Sequence, residues 1–240
     1  MKVLILTAAA FLSSQFAAAS ISQVDDVTQV AGQYAVAPSQ LLAPADVKAA
    51  DADKGVVKGP ERIVPVQGEK NLFFLYGSRI VYLKKQPADK VARAFEMTSE
   101  LPVPPPVEKV WNIKKNSVAA NHELTTYDVR ASQSKLVVKV TTNCKGATHA
   151  VVVSEAERIV QNKWENCVDA EDANKQWYPN GWQSNRVYDL GGGVTAVLIH
   201  NMMVIRRHKI GFITPSEEQI FEMAMKASED TLAGYLKRLK

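Results

Sequence analysis

The sequence predicts an α+β fold: a mainly antiparallel sheet with a C-terminal amphipathic helix packed on it, preceded by a disordered N-terminal arm. Three observations lead there. Apolar and polar residues alternate at period two in several short runs between 123 and 212, as strands with one buried face require. Those runs follow one another too closely to leave room for the crossover helices that parallel pairing needs. After residue 214 the apolar period lengthens to that of a helix.

The chain begins with the pattern of a secretory signal peptide over residues 1–19. Lys2 precedes an apolar run from Val3 to Leu12, and Ala17-Ala18-Ala19 stands before Ser20 as a small-residue cleavage site. The run is too short to span a bilayer, so no transmembrane anchor is expected after its removal. The chain is therefore expected to be exported, periplasmic or extracellular.

Residues 20–60 are rich in alanine and aspartate, with Tyr34 as their one aromatic residue, and are expected to be a disordered arm. Val24 to Val30 reads as a short amphipathic element, and Gln40-Leu41-Leu42 as an exposed apolar triplet. Residues 61–100 read as a small β-rich module. Arg62 to Val66 is a strand that Pro65 assigns to an edge. Leu72–Tyr76 and Arg79–Leu83 read as a hairpin about Gly77-Ser78. A short helix from Pro87 to Met97 places Val91, Ala94 and Phe95 on one face. The proline-rich stretch 101–107 is a spacer or, equally, a loop inside one domain.

Residues 108–240 form the expected disulfide-containing α+β domain. Thr125–Arg130 and Lys135–Val140 alternate about a turn at Ala131–Ser134, and Ala150–Val153 reads as a covered strand. Ser154 to Glu157 resembles a capping box, with Ala156, Val160, Trp164 and Cys167 on one helical face. That geometry turns Cys167 toward Cys144. In an oxidising compartment two cysteines are most simply read as one disulfide. Asn180-Gly181 is a turn signal, and Gly191-Gly192-Gly193 permits positive φ before a strand at Val194–His200. Met203–Arg206 reads as a further strand set off by Asn201-Met202. The final helix takes Thr214 as N-cap, Pro215 at its first position and Glu217 in a capping box. Phe221, Met225, Leu232, Tyr235, Leu236 and Leu239 form its apolar stripe.

The arrangements that catalysis needs are missing. There is no His-Glu-x-x-His, no Gly-x-Ser-x-Gly and no phosphate loop, so no catalytic residue, metal site or cofactor is expected. His149 and His200 are the histidines that border predicted core strands. The formal net charge is +4, including Lys2, and no basic stripe interleaved with aromatics points to nucleic acid. A candidate binding surface remains: the aromatics Trp177, Tyr178 and Trp182, the acidic residues Asp169, Glu171 and Asp172, and the basic pair Arg206 and Arg207. The favoured reading is a non-catalytic exported protein that serves as a binding or assembly component of the cell envelope. Its partner is then another envelope or secreted protein. The alternative is a glycan-binding module or glycan-active hydrolase using the Trp177–Trp182 loop and the nearby carboxylates.

Overall fold

The computed structural model describes residues 24–97, 101–135, 138–209 and 214–240. The leader-like segment 1–19 and residues Leu136 and Val137 lie outside them. Among the described residues, the strands β1 (Val56–Pro65), β2 (Leu72–Lys84), β3 (Val107–Ala119), β4 (His122–Lys135), β5 (Val138–Ser154), β6 (Glu157–Asp169), β7 (Gln176–Asp189) and β8 (Val194–Arg206) join in one sheet. Its order is β1-β2-β8-β7-β6-β5-β4-β3, and every pair is antiparallel. From β3 onward it is a meander. The chain then closes the far side by pairing its last strand, β8, with β2 over residues 72–84. The mainly antiparallel sheet and the C-terminal helix of the expected fold are both present. The strands β1 and β2, on one side of the proline stretch, lie in the same sheet as β3–β8 on the other.

The alternation along β2 and β8 shows how the sheet is covered on both faces. Phe73, Leu75, Met203 and Ile205 turn toward the C-terminal helix α3 (Glu217–Lys237), where they meet Ile220, Ala224 and Met225. Val81, Val197 and Ile199 on the same face join Leu232, Tyr235 and Leu239, together with Val91, Ala94 and Phe95 of α2 (Ala88–Ala94) and the residue after it. Phe74, Tyr76, Met202 and Val204 point the other way, onto Val30, Ala31, Val36 and Leu41.

That second layer corrects, for residues 24–60, the expectation of a disordered arm over 20–60. Residues 24–54 cover the face of the sheet opposite α3 and include the short helix α1 (Val27–Gln33). Tyr34 stacks on Phe74 at 4.1 Å between centroids. Leu42 N–H donates to Ser78 Oγ, and Lys48 N–H donates to Tyr82 Oη. At the start of the arm, Asp25 and Gln161 exchange two hydrogen bonds. The Asp25 carboxylate also accepts from Trp182 Nε1 at 2.7 Å and pairs with Lys163 Nζ at 2.9 Å. Small residues give the arm little apolar surface of its own. The sheet supplies the rest through Phe74, Tyr76, Met202 and Val204.

Other local expectations change for reasons that are visible in the packing. Gly77-Ser78 is mid-strand rather than a hairpin turn. A β-carbon on Gly77 would lie 3.1 Å from Glu61 Cγ, and the Ser78 hydroxyl holds the arm. Asn180-Gly181 is likewise mid-strand, where Gly181 makes room for the Trp164 ring. Ala131–Ser134 is strand rather than turn, paired with β5 in the register Ala131↔Thr142 to Ser134↔Lys139. β8 runs unbroken through Asn201-Met202. The helix expected after Ser154 is strand β6, and Ala156 sits in the turn before it. Val160 and Trp164 share a face in either geometry, because positions i and i+4 coincide at both periods. Asn162 decides for the strand. It is buried on that same face because its amide donates to Phe95 O and accepts from Thr148 Oγ1.

Cys144 and Cys167 are bonded, as expected, with their Cα atoms 4.1 Å apart on the neighbouring strands β5 and β6. A crosslink with a sequence separation of 23 contributes roughly 3 kcal/mol in the chain-entropy model. Pro65 closes the edge strand β1, as its missing N–H predicts. The three glycines 191–193 carry φ of 75, 60 and 74°, the conformation anticipated for that loop. α3 begins two residues later than expected. Ser216 is the N-cap, and its hydroxyl and Gln219 form the reciprocal capping box. The proline stretch is a loop inside the domain, packed on Gly234 of α3. Arg238 ties it there by donating to Pro102 O, and it also donates to Ala94 O and Glu96 O at 2.8 Å.

Candidate functional site: a cavity beneath the C-terminal helix

The helix α3 is anchored at its ends and held off the sheet in its middle. Ile220 and Met225 seat the first turns, and Leu232, Tyr235 and Leu239 seat the last. Between them the face toward the sheet carries Ala224, Ala227, Ser228 and Thr231, at helical spacings of three and four. Four small side chains where large ones would fill the gap leave a cavity of about 120 Å³ between helix and sheet.

The sheet side of this cavity comes from β2 to β8. Leu75 and Met203 lie under Ala224, Trp164 and Tyr178 form one wall, and the Cys144–Cys167 bridge adds to it. Met97, Val129 and Tyr235 close the end toward α2. Burial drives the Tyr178 hydroxyl up to about 12 and raises Tyr127 and Tyr235 as well, so all three stay neutral at physiological pH.

A row of polar side chains crosses the sheet under the helix. Register pairs Gly77 with Asn201, Asn201 with Gln183, Gln183 with Asn162, and Asn162 with Thr148. Asn201 Nδ2 donates to Ser228 Oγ of α3 at 2.8 Å. Asn162 is satisfied by Phe95 O and Thr148, and its Nδ2 also lies 3.4 Å from Tyr235 Oη. Gln183, only 2% exposed, lines the cavity between them.

The surface anticipated from the sequence is dispersed and largely covered. Trp177 is buried, its indole N–H donates to Asp169 Oδ2 and its ring meets His208 edge-on. Trp182 is buried on the opposite face against the arm and donates to Asp25. Neither indole presents a free face for a sugar ring. Tyr178 lines the cavity under α3. Asp169 organises the β6–β7 turn by accepting from Glu171 N and Asp172 N. Burial opposes its ionisation, but these bonds and the Trp177 indole outweigh it and hold its carboxyl below the usual value. Asp172 pairs with Lys175, and Glu171 is exposed. Arg207 donates to Asn71 and lies over the Phe73 ring. It lines, with Arg206, Trp177 and Tyr178, a recess of only about 20 Å³, room for little more than a water. His149 and His200 do not meet: Gln161 and Ser184 stand between them in one cross-strand row on the arm face. Among the described residues no group of three or more His, Cys, Asp or Glu is arranged to hold a metal ion. None of their helices is long and apolar enough to cross a membrane.

The residues that matter here, Gln183, Asn201, Met203 and the small face of α3, were not singled out by sequence reasoning. One signal pointed to them: the interruption of the apolar stripe of α3 between Met225 and Leu232 by small residues.

No family model matches the sequence, and no curated protein matches it. Among solved structures, the Zhui aromatase/cyclase from Streptomyces sp. R1128 aligns with a TM-score of 0.45 at 12% identity, over 69% of this chain and 91% of that one. A START superfamily protein from Mycobacterium smegmatis aligns at 0.44 and 13% identity, over 68% of this chain and 96% of that one. A STAR-related lipid transfer protein from Xanthomonas axonopodis aligns at 0.45 and 10% identity, over 75% of this chain and 98% of that one. These scores and identities assign this chain neither a family nor an activity.

Proposed function

We propose that this chain binds a small, largely apolar molecule in the cavity between the sheet and α3. The observation that carries the reading is the coincidence of a gap of about 120 Å³ with a helix face that is small only where it crosses that gap. An apolar cavity of about 150 Å³ is enough to bind benzene. The gap here, about 120 Å³, is somewhat smaller, so a single ring enters with a small outward shift of α3, and a larger ligand requires the helix to lift. The leader-like segment 1–19 and the disulfide support placing this activity after export, in an oxidising compartment. On this reading the role in the envelope is that of a binding component whose partner is the ligand rather than a glycan.

The test is titration of the purified protein with toluene, followed by the emission of Trp164, which lines the cavity. Ala227→Phe places a ring in the gap and is expected to abolish the response while far-UV circular dichroism stays that of the parent. Undiminished toluene binding by a folded Ala227→Phe protein would refute the proposal.

A further inference from the structure

We propose that the ligand carries a hydroxyl group and that Gln183 is the residue that recognises it. This rests on the cavity being a binding site. Within the polar row under α3, Asn201 is bonded to Ser228, and Asn162 is bonded to Phe95, Thr148 and Tyr235. Gln183 stands between those two in register, lines the cavity, and its Oε1 has no hydrogen-bond partner among the described residues. A buried carbonyl oxygen without a partner destabilises the fold, so an amide kept there against that cost needs a reason outside the folded chain. Arg79 Nε and Asn185 Oδ1 on the same face are open as well, but neither lines the cavity, and each side chain is held by another bond, to Glu61 and to Val160 O.

The surroundings define the ligand further. Trp164, Leu75, Met203 and the disulfide give the cavity apolar walls, so the rest of the molecule is apolar. Among the described residues no lysine, arginine or carboxylate lines it, which disfavours a charged head group. A hydroxyl serves an amide in either orientation, because it both donates and accepts. The class is therefore a one-ring or similarly compact apolar molecule with one hydroxyl.

Phenol and toluene differ in that group and hardly in shape, so they are the probes. The parent protein is expected to bind phenol about tenfold more tightly than toluene, the worth of one hydrogen bond to a buried acceptor. Gln183→Met, similar in length and without polar atoms, is expected to reduce that preference to none while retaining toluene. It should also melt no lower than the parent, because it removes an unsatisfied group. Equal binding of phenol and toluene by the parent would overturn the inference and leave the cavity reading intact. So would a preference that survives Gln183→Met, or a Gln183→Met protein of clearly lower stability, since the amide would then be serving the fold. Failure of both probes to bind the parent would instead overturn the cavity reading, and this inference with it.

Discussion

Replacing Asp25 tests whether the N-terminal arm is a structural layer of this protein. Its carboxylate meets Lys163 Nζ at 2.9 Å, and that lysine side chain is only 2% exposed. It also accepts the Trp182 indole N–H at 2.7 Å. Asp25→Ala leaves a buried ammonium without this partner, a change that costs about 3–5 kcal/mol where it has been measured. Loss of the indole's acceptor adds to it, though less than additively, because both bonds end on one carboxylate oxygen. Glu165 lies close enough to feel the same ammonium. Burial raises its carboxyl and Lys163 lowers it, so it shares part of the lost role. The lower part of the range, about 3 kcal/mol, is therefore expected.

The assay is urea unfolding of the parent, Asp25→Ala, Lys163→Met and the double variant. For a chain of this size about 3 kcal/mol corresponds to a melting temperature lower by roughly 6–12 °C. The double variant should recover most of the loss, since an apolar side chain in place of a buried pair is often neutral. Limited proteolysis supplies the local readout: residues 24–54 resist cleavage in the parent and become accessible in Asp25→Ala. A loss below about 1 kcal/mol, or a double variant no more stable than Asp25→Ala, would refute the reasoning.

Three other expectations follow from single contacts. The native protein should show no titratable thiol until it is denatured and reduced, and Cys144→Ser/Cys167→Ser should lose roughly 3 kcal/mol in urea unfolding. Gly146→Ala should lose more than about 2 kcal/mol, measured in the same way, because its β-carbon would lie 2.2 Å from the buried Tyr127 ring. Burial lowers the pKa of His200 below 6.5 despite the bond its Nε2–H donates to Leu42 O. The unfolded chain then takes up the proton first, so this contribution to stability is present above pH 6.5 and is lost as the pH falls below it; unfolding midpoints between pH 5 and 8, expressed relative to pH 8, should fall less on acidification in His200→Gln than in the parent.

What the sequence discloses divides along a physical line. Elements defined by their own residues were legible: the α3 stripe, the edge character that Pro65 imposes, the glycine loop at 191–193, and the pairing of Cys144 with Cys167. Elements defined by a neighbour were not. Gly181 after Asn180 spells a turn, yet it is strand because Trp164 needs the space. Val160 and Trp164 fit two periods equally, and Asn162, the residue that separates them, is intelligible only once Phe95 O is placed beside it. The arm reads as disordered by composition because the surface it buries belongs to Phe74, Tyr76 and Met202, more than thirty residues away in the chain. The site is of this second kind. Its lining is gathered from seven strands and a helix, and only the small face of α3 is contiguous enough to leave a mark in the sequence.

That mark and the polar row are two separate departures from what stable packing favours. A helix seated on a sheet is best served by large side chains along its whole contact, as Ile220 and Leu232 show at either end of α3. The face of a sheet beneath a helix is best served by apolar ones, as Ile199 and Val187 show beside the row. Each departure alone has a local account: small residues ease a close approach, and buried amides are tolerated when bonded. Together they do not, because Ala224, Ala227 and Ser228 do not bring α3 closer to the sheet but leave it spanning a gap, and Gln183 faces that gap with its acceptor open. Consistent local choices mark a sequence selected for stability, and coincident exceptions mark the place where selection served something else. Here both exceptions fall on one cavity, and that coincidence is why we propose binding there rather than assembly through the exposed surface.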